Sequence, residues 1–272
     1  MLFTEVNYET INNEIARKVV ILPIAAIEQH GPHLAVSTDM ACVTEIALKA
    51  EKELPEDILL CPTLPFGSSH HHLSFGGTLS ITVETYTRVI VELVECLLQN
   101  GFRRIVLLNG HGGNVVPVKQ ALSILSQKYD KPHGPNIVLA TYWELGGKSF
   151  AGAPPMETPA LSHACEYETS LLLYLFPERV FPEKIIRAKR PEKNGYIPFE
   201  DDEPPSGVSM SKLTEFISSN GSSGEPGLGS SEKGKHLFNT AVKALVKFIK
   251  EYKKWPLLKD LSISKNSGTE RA

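Results

Sequence analysis

Val19-Val20-Ile21-Leu22-Pro23-Ile24-Ala25-Ala26-Ile27-Glu28-Gln29-His30-Gly31-Pro32-His33-Leu34-Ala35-Val36-Ser37-Thr38-Asp39 joins an apolar run to a stretch crowded with polar chemistry. The run to Ile27 is rich in branched side chains and reads as a buried strand. The polar groups therefore fall where that strand ends, which is where open α/β sheets keep their sites. Glu28, His30, His33 and Asp39 follow in close succession, and Gly31-Pro32 between them forces a turn. Glu28 and His30 stand two apart, so they share a side if the extended geometry persists. A hard carboxylate beside an imidazole suits Zn, Mn or Fe. The plainer reading is a polar loop before a helix. Thr38 or Asp39 would then cap the periodic segment through Leu54, which sets Met40, Val43, Ile46, Ala47 and Ala50 on one face.

Composition narrows the classes. With 272 residues, 42% of them hydrophobic, the chain is long enough for one large α/β domain. The net charge of −3 is spread along the sequence, which argues against a nucleic-acid groove or a membrane-surface patch and suits a small-molecule substrate. No apolar run approaches the roughly 18 residues of a membrane span, and Met1 to Glu5 lacks a basic region followed by an apolar one. A cytoplasmic location is expected. Cys42, Cys61, Cys96 and Cys165 stand singly, as reduced packing residues do.

A short strand is expected at Ile58 to Cys61, then a loop with Gly67-Ser68-Ser69-His70-His71-His72. Neighbours on an extended chain point to opposite sides, so at most two of these histidines can converge, and His70 and His71 read as surface loop. Thr82 is expected to cap a helix that Gly101 stops. Ile105 to Leu108 reads as a central strand running into Asn109-Gly110-His111-Gly112-Gly113-Asn114, where glycines flank one histidine at a strand end. Such a turn can also cradle phosphate, but neither dinucleotide nor Walker spacing is present. A helix over Val115 to Tyr129 and a strand over Ile137 to Thr141 continue the strand–helix alternation of a mostly parallel sheet covered on both faces. Ser162-His163-Ala164-Cys165-Glu166-Tyr167-Glu168 opens the next helix, with Ser162 as its cap and His163 and Glu166 on one face. Residues 187–231 are rich in proline, glycine and serine and read as an irregular lid or subunit-contact insertion. A last helix is expected from about Glu232 to Tyr252. The reading is a single domain over 1–256 with a flexible tail at 257–272.

Three polar clusters on one rim of such a sheet point to a metal site, and the same residues carry a resemblance. Glu28-x-His30-Gly31-x-His33 with Thr38-Asp39, Asn109-Gly110-His111-Gly112-Gly113-Asn114, and His163-Ala164-x-x-x-Glu168-Thr169-Ser170 are similar to three motifs of the creatininase (creatinine amidohydrolase) family. Gly67-x-Ser69 with His72, Phe75-x-Gly77-Thr78 and Glu232-Lys233-Gly234 add minor matches. The resemblance implies a three-layer α/β/α sandwich, two divalent ions per subunit, Zn or Mn with Fe possible, and a homohexamer. It implies that Asp39 bridges the ions, Glu28 and His111 complete one site, and His30 holds the other. Creatininase itself has a glutamate where this chain has Gly113. Glu166 is the expected replacement, because relatives with the Gly-Gly version tend to carry a glutamate there. Creatininase also lines its pocket with residues whose counterparts here are Gly112 and Pro159-Ala160, so creatinine fits poorly as substrate.

The mechanism implied is hydrolysis of a C–N bond in a cyclic amide or formamide by a water that two ions make acidic. His163 is expected to shuttle a proton, Glu168 to orient it, and Ser69, His72, His33 and Gly112 to face the substrate. Relatives of the same fold trim a peptide precursor or open a cyclic diketone, and these stand as alternatives. A non-catalytic phosphate- or nucleotide-binding protein built on the Gly112-Gly113 turn is the alternative from another class.

Overall fold

The computed structural model describes residues 1–15, 17–151, 155–191, 210–257 and 259. Residues 192–209 of the expected lid or subunit-contact insertion, and most of the tail expected at 257–272, lie outside them. Four strands form one sheet: β1 (Val19–Ile24), β2 (Ile58–Leu60), β3 (Arg104–Asn109) and β4 (Asn136–Thr141). Their order is β2-β1-β3-β4 and every pairing is parallel, with Val20 opposite Ile105, Ile24 opposite Asn109 and Thr141 level with Asn109. The crossover between parallel neighbours needs a helix. The chain supplies α1 (Tyr8–Glu14), α2 (Thr38–Glu53), α3 (Val83–Gln99), α4 (Val115–Tyr129), α5 (Tyr142–Gly146), α6 (Glu166–Leu175) and α7 (Ser231–Tyr252).

Alternation along β1 divides the core. Val19 and Ile21 pack with Val43, Ile46, Leu171 and Leu245 from α2, α6 and α7. Val20, Leu22 and Ile24 pack with Ile90, Val94, Val118 and Ala121 from α3 and α4. Because both faces are covered, all six residues of β1 are buried, which is why the strand reads as a continuous apolar run rather than an alternating one. The result is the expected α/β/α sandwich.

Details at the helix starts depart from expectation. Thr82 caps α3 as the sequence indicates, accepting from Thr85 N at 3.3 Å, and Gly101 past the end of α3 has φ +99°. Helix α2 instead has Ser37 at its cap position without a side-chain bond, and Thr38 Oγ1 donates to Ala35 O at 2.7 Å. Asp39 thus stands inside the first turn, where the helix dipole favours a carboxylate. Helix α6 begins only at Glu166, and Ser162 does not cap it. Between them Ala164 adopts φ +52°, a left-handed conformation that few non-glycine residues take. That reversal breaks the helical register between His163 and the glutamates.

Candidate metal centre

The carboxyl ends of β1 and β3 and the first turns of α2 and α6 converge on one buried cluster. Glu28 hangs just beyond β1, its N–H bound to Val36 O at 3.0 Å. His111 follows β3, its N–H held by Asn109 Oδ1 at 3.1 Å, while Asn114 ties Ala25 O (3.1 Å) to Ser68 N (3.0 Å) beneath it. Gly110 passes so close to α2 that an added Cβ would lie 2.7 Å from Val43 Cβ. Glu28, His30, Asp39, His111, His163 and Glu168 are all buried, and six of the cavity's walls are Glu28, Asp39, His72, His111, His163 and Glu168. The cavity measures about 310 Å³.

Hydrogen bonds fix which nitrogen each imidazole presents. His30 Nδ1 lies 3.1 Å from Glu28 O and His111 Nε2 lies 3.1 Å from Ser68 O. A carbonyl only accepts, so both nitrogens carry the proton. The other nitrogen of each ring is left as a lone pair aimed at carboxylates. His30 Nε2 is 3.1 Å from Asp39 Oδ1 and 3.6 Å from Glu168 Oε1. His111 Nδ1 is 3.0 Å from Asp39 Oδ2 and 3.3 Å from Glu28 Oε2. Asp39 Oδ2 is buried and receives no hydrogen bond. Lone pairs facing carboxylate oxygens repel unless a positive charge lies among them, and backbone-oriented imidazoles of this kind are the usual dress of metal ligands. The proton affinities report the same demand. Burial would lower His30 and His111, yet the charges of Asp39 and Glu168 on the one, and of Glu28 and Asp39 on the other, hold both well above the ordinary histidine value. Donor atoms within 4.8 Å of one another form the sets Glu28–His30–Asp39, His30–His163–Glu168, Glu28–His71–His111 and Glu28–His72–His163. The residues present therefore fit divalent ions.

His163 and His72 are held differently. Gln29 Oε1 accepts from Gly31 N at 2.9 Å, so its Nε2 is the donor end, and it faces His163 Nε2 (3.0 Å), His72 Nδ1 (2.8 Å) and Gly221 O (2.9 Å). Thr214 Oγ1 also lies 2.8 Å from His72 Nδ1. The other ring nitrogens, His72 Nε2 and His163 Nδ1, lie 3.5 and 3.4 Å from Glu28 Oε1. Burial, with the charge of His30 next, pushes the His163 imidazole down to about 3, so it is neutral near pH 7.

Several expected residues take other places. Glu166 is not with the cluster: its Oε1 accepts from Lys233 Nζ (2.7 Å) and Glu157 N (3.0 Å), and its Oε2 from Thr158 N (2.8 Å) and Oγ1 (2.6 Å). Glu168, expected to orient His163, stands 3.6 Å from His30 Nε2, with its Oε2 accepting from Ala164 N at 2.5 Å. The helical spacing that paired His163 with Glu166 fails because α6 starts after His163. Ser69 does not face the cavity; its hydroxyl donates to Glu28 Oε2 and its N–H to Ser80 Oγ (2.7 Å). His33 is buried against Thr169, Nε2 to Oγ1 3.2 Å, and does not line the cavity. His72 backs Glu28, while Gly112 does line the cavity. His71, read as surface loop, lines it too, stacked on the His111 ring with centroids 6.0 Å apart. Trp143 and Leu161 complete the wall and were missed; the position of Trp143 just past the end of β4 is the signal that would have found it. Gly113 has no room for a side chain, since a Cβ there would meet Ser68 O at 2.2 Å and His111 Nε2 at 2.5 Å. The glutamate that creatininase carries at that place is thereby excluded on this backbone.

From the irregular segment, residues 210–229 press on the cluster. Ser223 N donates to His163 O at 2.8 Å, and His163 N to Ser223 Oγ at 2.9 Å. All four cysteines are free. No helix among the described residues is long and apolar enough to cross a membrane.

Comparison with known proteins agrees with this geometry. A mycofactocin precursor peptide peptidase from Mycobacterium tuberculosis is 33% identical over 177 residues, 61% of this chain and 61% of its own length. A creatinine amidohydrolase from Pseudomonas putida is 26% identical over 185 residues, 62% of this chain and 68% of that protein. The chain thus spans about 61% of the length of the peptidases it matches. A crystal structure of creatinine amidohydrolase superposes with TM-score 0.78 at 22% identity, covering 94% of this chain and 98% of that one. A mutant creatininase has been solved in a Zn–Zn form, and creatininase with Mn, at TM-scores of 0.75 and 0.74 to this fold. The family model for creatinine amidohydrolase matches residues 4–249, nearly the whole chain. The chain belongs to the creatininase family.

Proposed function

We propose that the protein is a hydrolase of amide C–N bonds that works with two divalent ions, Zn or Mn, with Fe as a further candidate. Glu28, His111 and Asp39 would hold one ion, and His30, Glu168 and the shared Asp39 the other. The observation that carries this reading is the pair of imidazoles, His30 and His111, each pinned by a backbone carbonyl so that its lone pair meets carboxylate oxygens at 3.0–3.6 Å. When bound, a pair of ions supplies an acidic water and polarises the carbonyl under attack.

The chain's own residues supply the rest. Ser69 donates to Glu28, with His72 Nε2 3.5 Å from its other oxygen, and the two hold the carboxylate in one orientation, the outer support that ligands need. His163 lines the cavity wall and is neutral, so it would take up the proton that the attacking water loses and pass it to the leaving nitrogen. Gly112 leaves the cavity wall without a side chain. A cyclic amide or formamide fits the small polar cavity. Peptide trimming is the second reading, favoured by the peptidase relatives and by a groove that joins the cavity. The homohexamer that the family resemblance implies and the cytoplasmic location expected from the sequence go with this reading.

The test is turnover of lactams, N-formyl amino acids and short peptides by Zn- and Mn-loaded protein. His163→Ala should lower kcat by roughly 10²–10⁴-fold, the range of a lost acid–base group, with metal content unchanged. Loss of metal together with activity would make His163 a ligand instead of a proton carrier.

A further inference from the structure

The opposite edge of the sheet carries a second cluster of charge that the hydrolytic site does not use. Lys18 directly precedes β1, Glu56 and Asp57 precede β2, Arg104 opens β3, and Lys253 follows α7. With Arg17 these residues line a cavity of about 430 Å³, inside the size range of ligand sites. The metal cluster lies beyond the other ends of β1 and β3. Six residues of strand separate the two, roughly 20 Å at ~3.3 Å per residue. They share no lining residue.

Four cations face two carboxylates in this cavity, and their pairing is incomplete. Lys253 Nζ is matched by Asp57 Oδ1 at 2.5 Å. Lys18 Nζ, on a side chain only 2% exposed, donates to Pro55 O at 2.8 Å, and Glu14 Oε2 stands 3.8 Å away, outside hydrogen-bond reach. An ammonium has three donors, so Lys18 has donors to spare. Arg104 Nη2 donates to Trp255 O at 3.1 Å, while its Nε is buried and has no partner. Among the described residues the exposed Arg17 side chain makes no hydrogen bond or ion pair.

Buried charge is normally paired, and a buried donor without an acceptor costs free energy. A neutral ligand would leave the surplus positive charge uncompensated, and a cation would add to it. An oxyanion supplies several acceptors at once and suits the planar fork of a guanidinium. The excess of two positive charges matches a dianion.

We propose that this cavity binds a phosphate group, free or as a small phosphate monoester. Arg104 and Lys18 are its inner donors and Arg17 its outer one. The bound group ties the starts of β1 and β3 to the end of α7, at a site separate from the hydrolytic one.

The experiment uses the full chain loaded with Zn, at constant ionic strength, titrated calorimetrically with inorganic phosphate and separately with glycerol phosphate. One equivalent per chain should bind saturably, survive removal of the metals by chelator, and raise the melting temperature as ligand concentration rises. Arg104→Gln and Arg17→Gln should each raise Kd at least ~10-fold, the effect of losing one charge-assisted hydrogen bond. Tighter binding of the ester supports the proposal with a monoester as ligand, and equal or weaker binding supports it with the free ion. Absence of saturable binding, a rise in melting temperature matched by sodium chloride, or a Kd untouched by both variants overturns the inference. Binding confined to the metal-loaded chain also overturns it, because the phosphate then sits on the metals. If Arg104→Gln fails to fold, Arg17→Gln, at an exposed position, decides alone.

Discussion

Replacing Glu166 with glutamine takes one charge and one acceptor from a buried cluster that joins α6, α7 and the loop at Glu157–Thr158. In the native chain the carboxylate satisfies four donors at once, from Lys233, Glu157 and Thr158, at 2.6–3.0 Å. Glutamine has a single oxygen, so its NH₂ must face either Lys233 and Glu157 N or the two donors of Thr158. Breaking a buried pair from one side costs about 3–5 kcal/mol. Glu157 remains 2.7 Å from the Lys233 ammonium, though its own side chain is 60% exposed, which argues for about 3 kcal/mol, the lower end. In a chain of this size 1 kcal/mol moves the melting temperature by roughly 2–4 °C, so a calorimetric melt should fall by about 6–12 °C. Burial tends to raise Glu166, but Lys233 and the Thr158 donors outweigh it and hold the carboxyl below its ordinary 4.5. A lowered carboxylate stabilises the fold fully above that ordinary value and loses the contribution as pH falls through the native one. The gap between wild type and variant should therefore be constant near neutrality and narrow on acidification. Metal content should not change. A variant that melts with the wild type but loses metal would refute the reasoning and return Glu166 to the ligand set.

Other outcomes follow from the same geometry. Glu168→Gln should keep the fold and lower the number of ions bound per chain, measured by plasma mass spectrometry after dialysis; unchanged stoichiometry would remove Glu168 from the ligands. Gly113→Ala should push a methyl onto His111 and Ser68 O, contacts of 2.5 and 2.2 Å, and weaken metal affinity by roughly 10–100-fold, the effect of disturbing a ligand's support. Titration with a fluorescent Zn indicator reads it, and wild-type affinity would show that the loop can give way. Gly234→Ala should destabilise the α6–α7 contact, where an added Cβ would overlap Ser170 O, with a lower melting temperature and an unchanged metal count.

The parallel sheet was legible because strands buried on both faces must be continuous runs of branched residues, as Val19 to Ile24 and Ile105 to Leu108 are. The proposed ligands Glu28, His30 and His111 were legible because they follow those runs closely, and Asp39 because it closes the same polar stretch after β1. The third motif misled at Glu166: spacing alone makes His163 and Glu166 neighbours on a helix, but a left-handed Ala164 separates them and no local pattern announces it. His71 was misplaced because an extended chain was assumed where residues 70–75 form a 3₁₀ turn, whose successive side chains fan around an axis rather than alternating. The role of Gln29 was hidden, since its partners His72, His163 and Gly221 lie far away in sequence. Composition marked residues 210–229 as irregular, but their contact with His163 depends on tertiary packing that composition does not encode.

The central claim is that the lone pairs of His30 and His111 and the orphaned oxygen of Asp39 exist to hold ions. Plasma mass spectrometry of the purified, dialysed chain, compared with Asp39→Asn, tests it most directly. Two equivalents of Zn, Mn or Fe per wild-type chain, reduced to one or none in the variant, is the predicted result. A wild-type chain that takes up no divalent ion when supplied with all three, and melts at the same temperature with and without chelator, would contradict it.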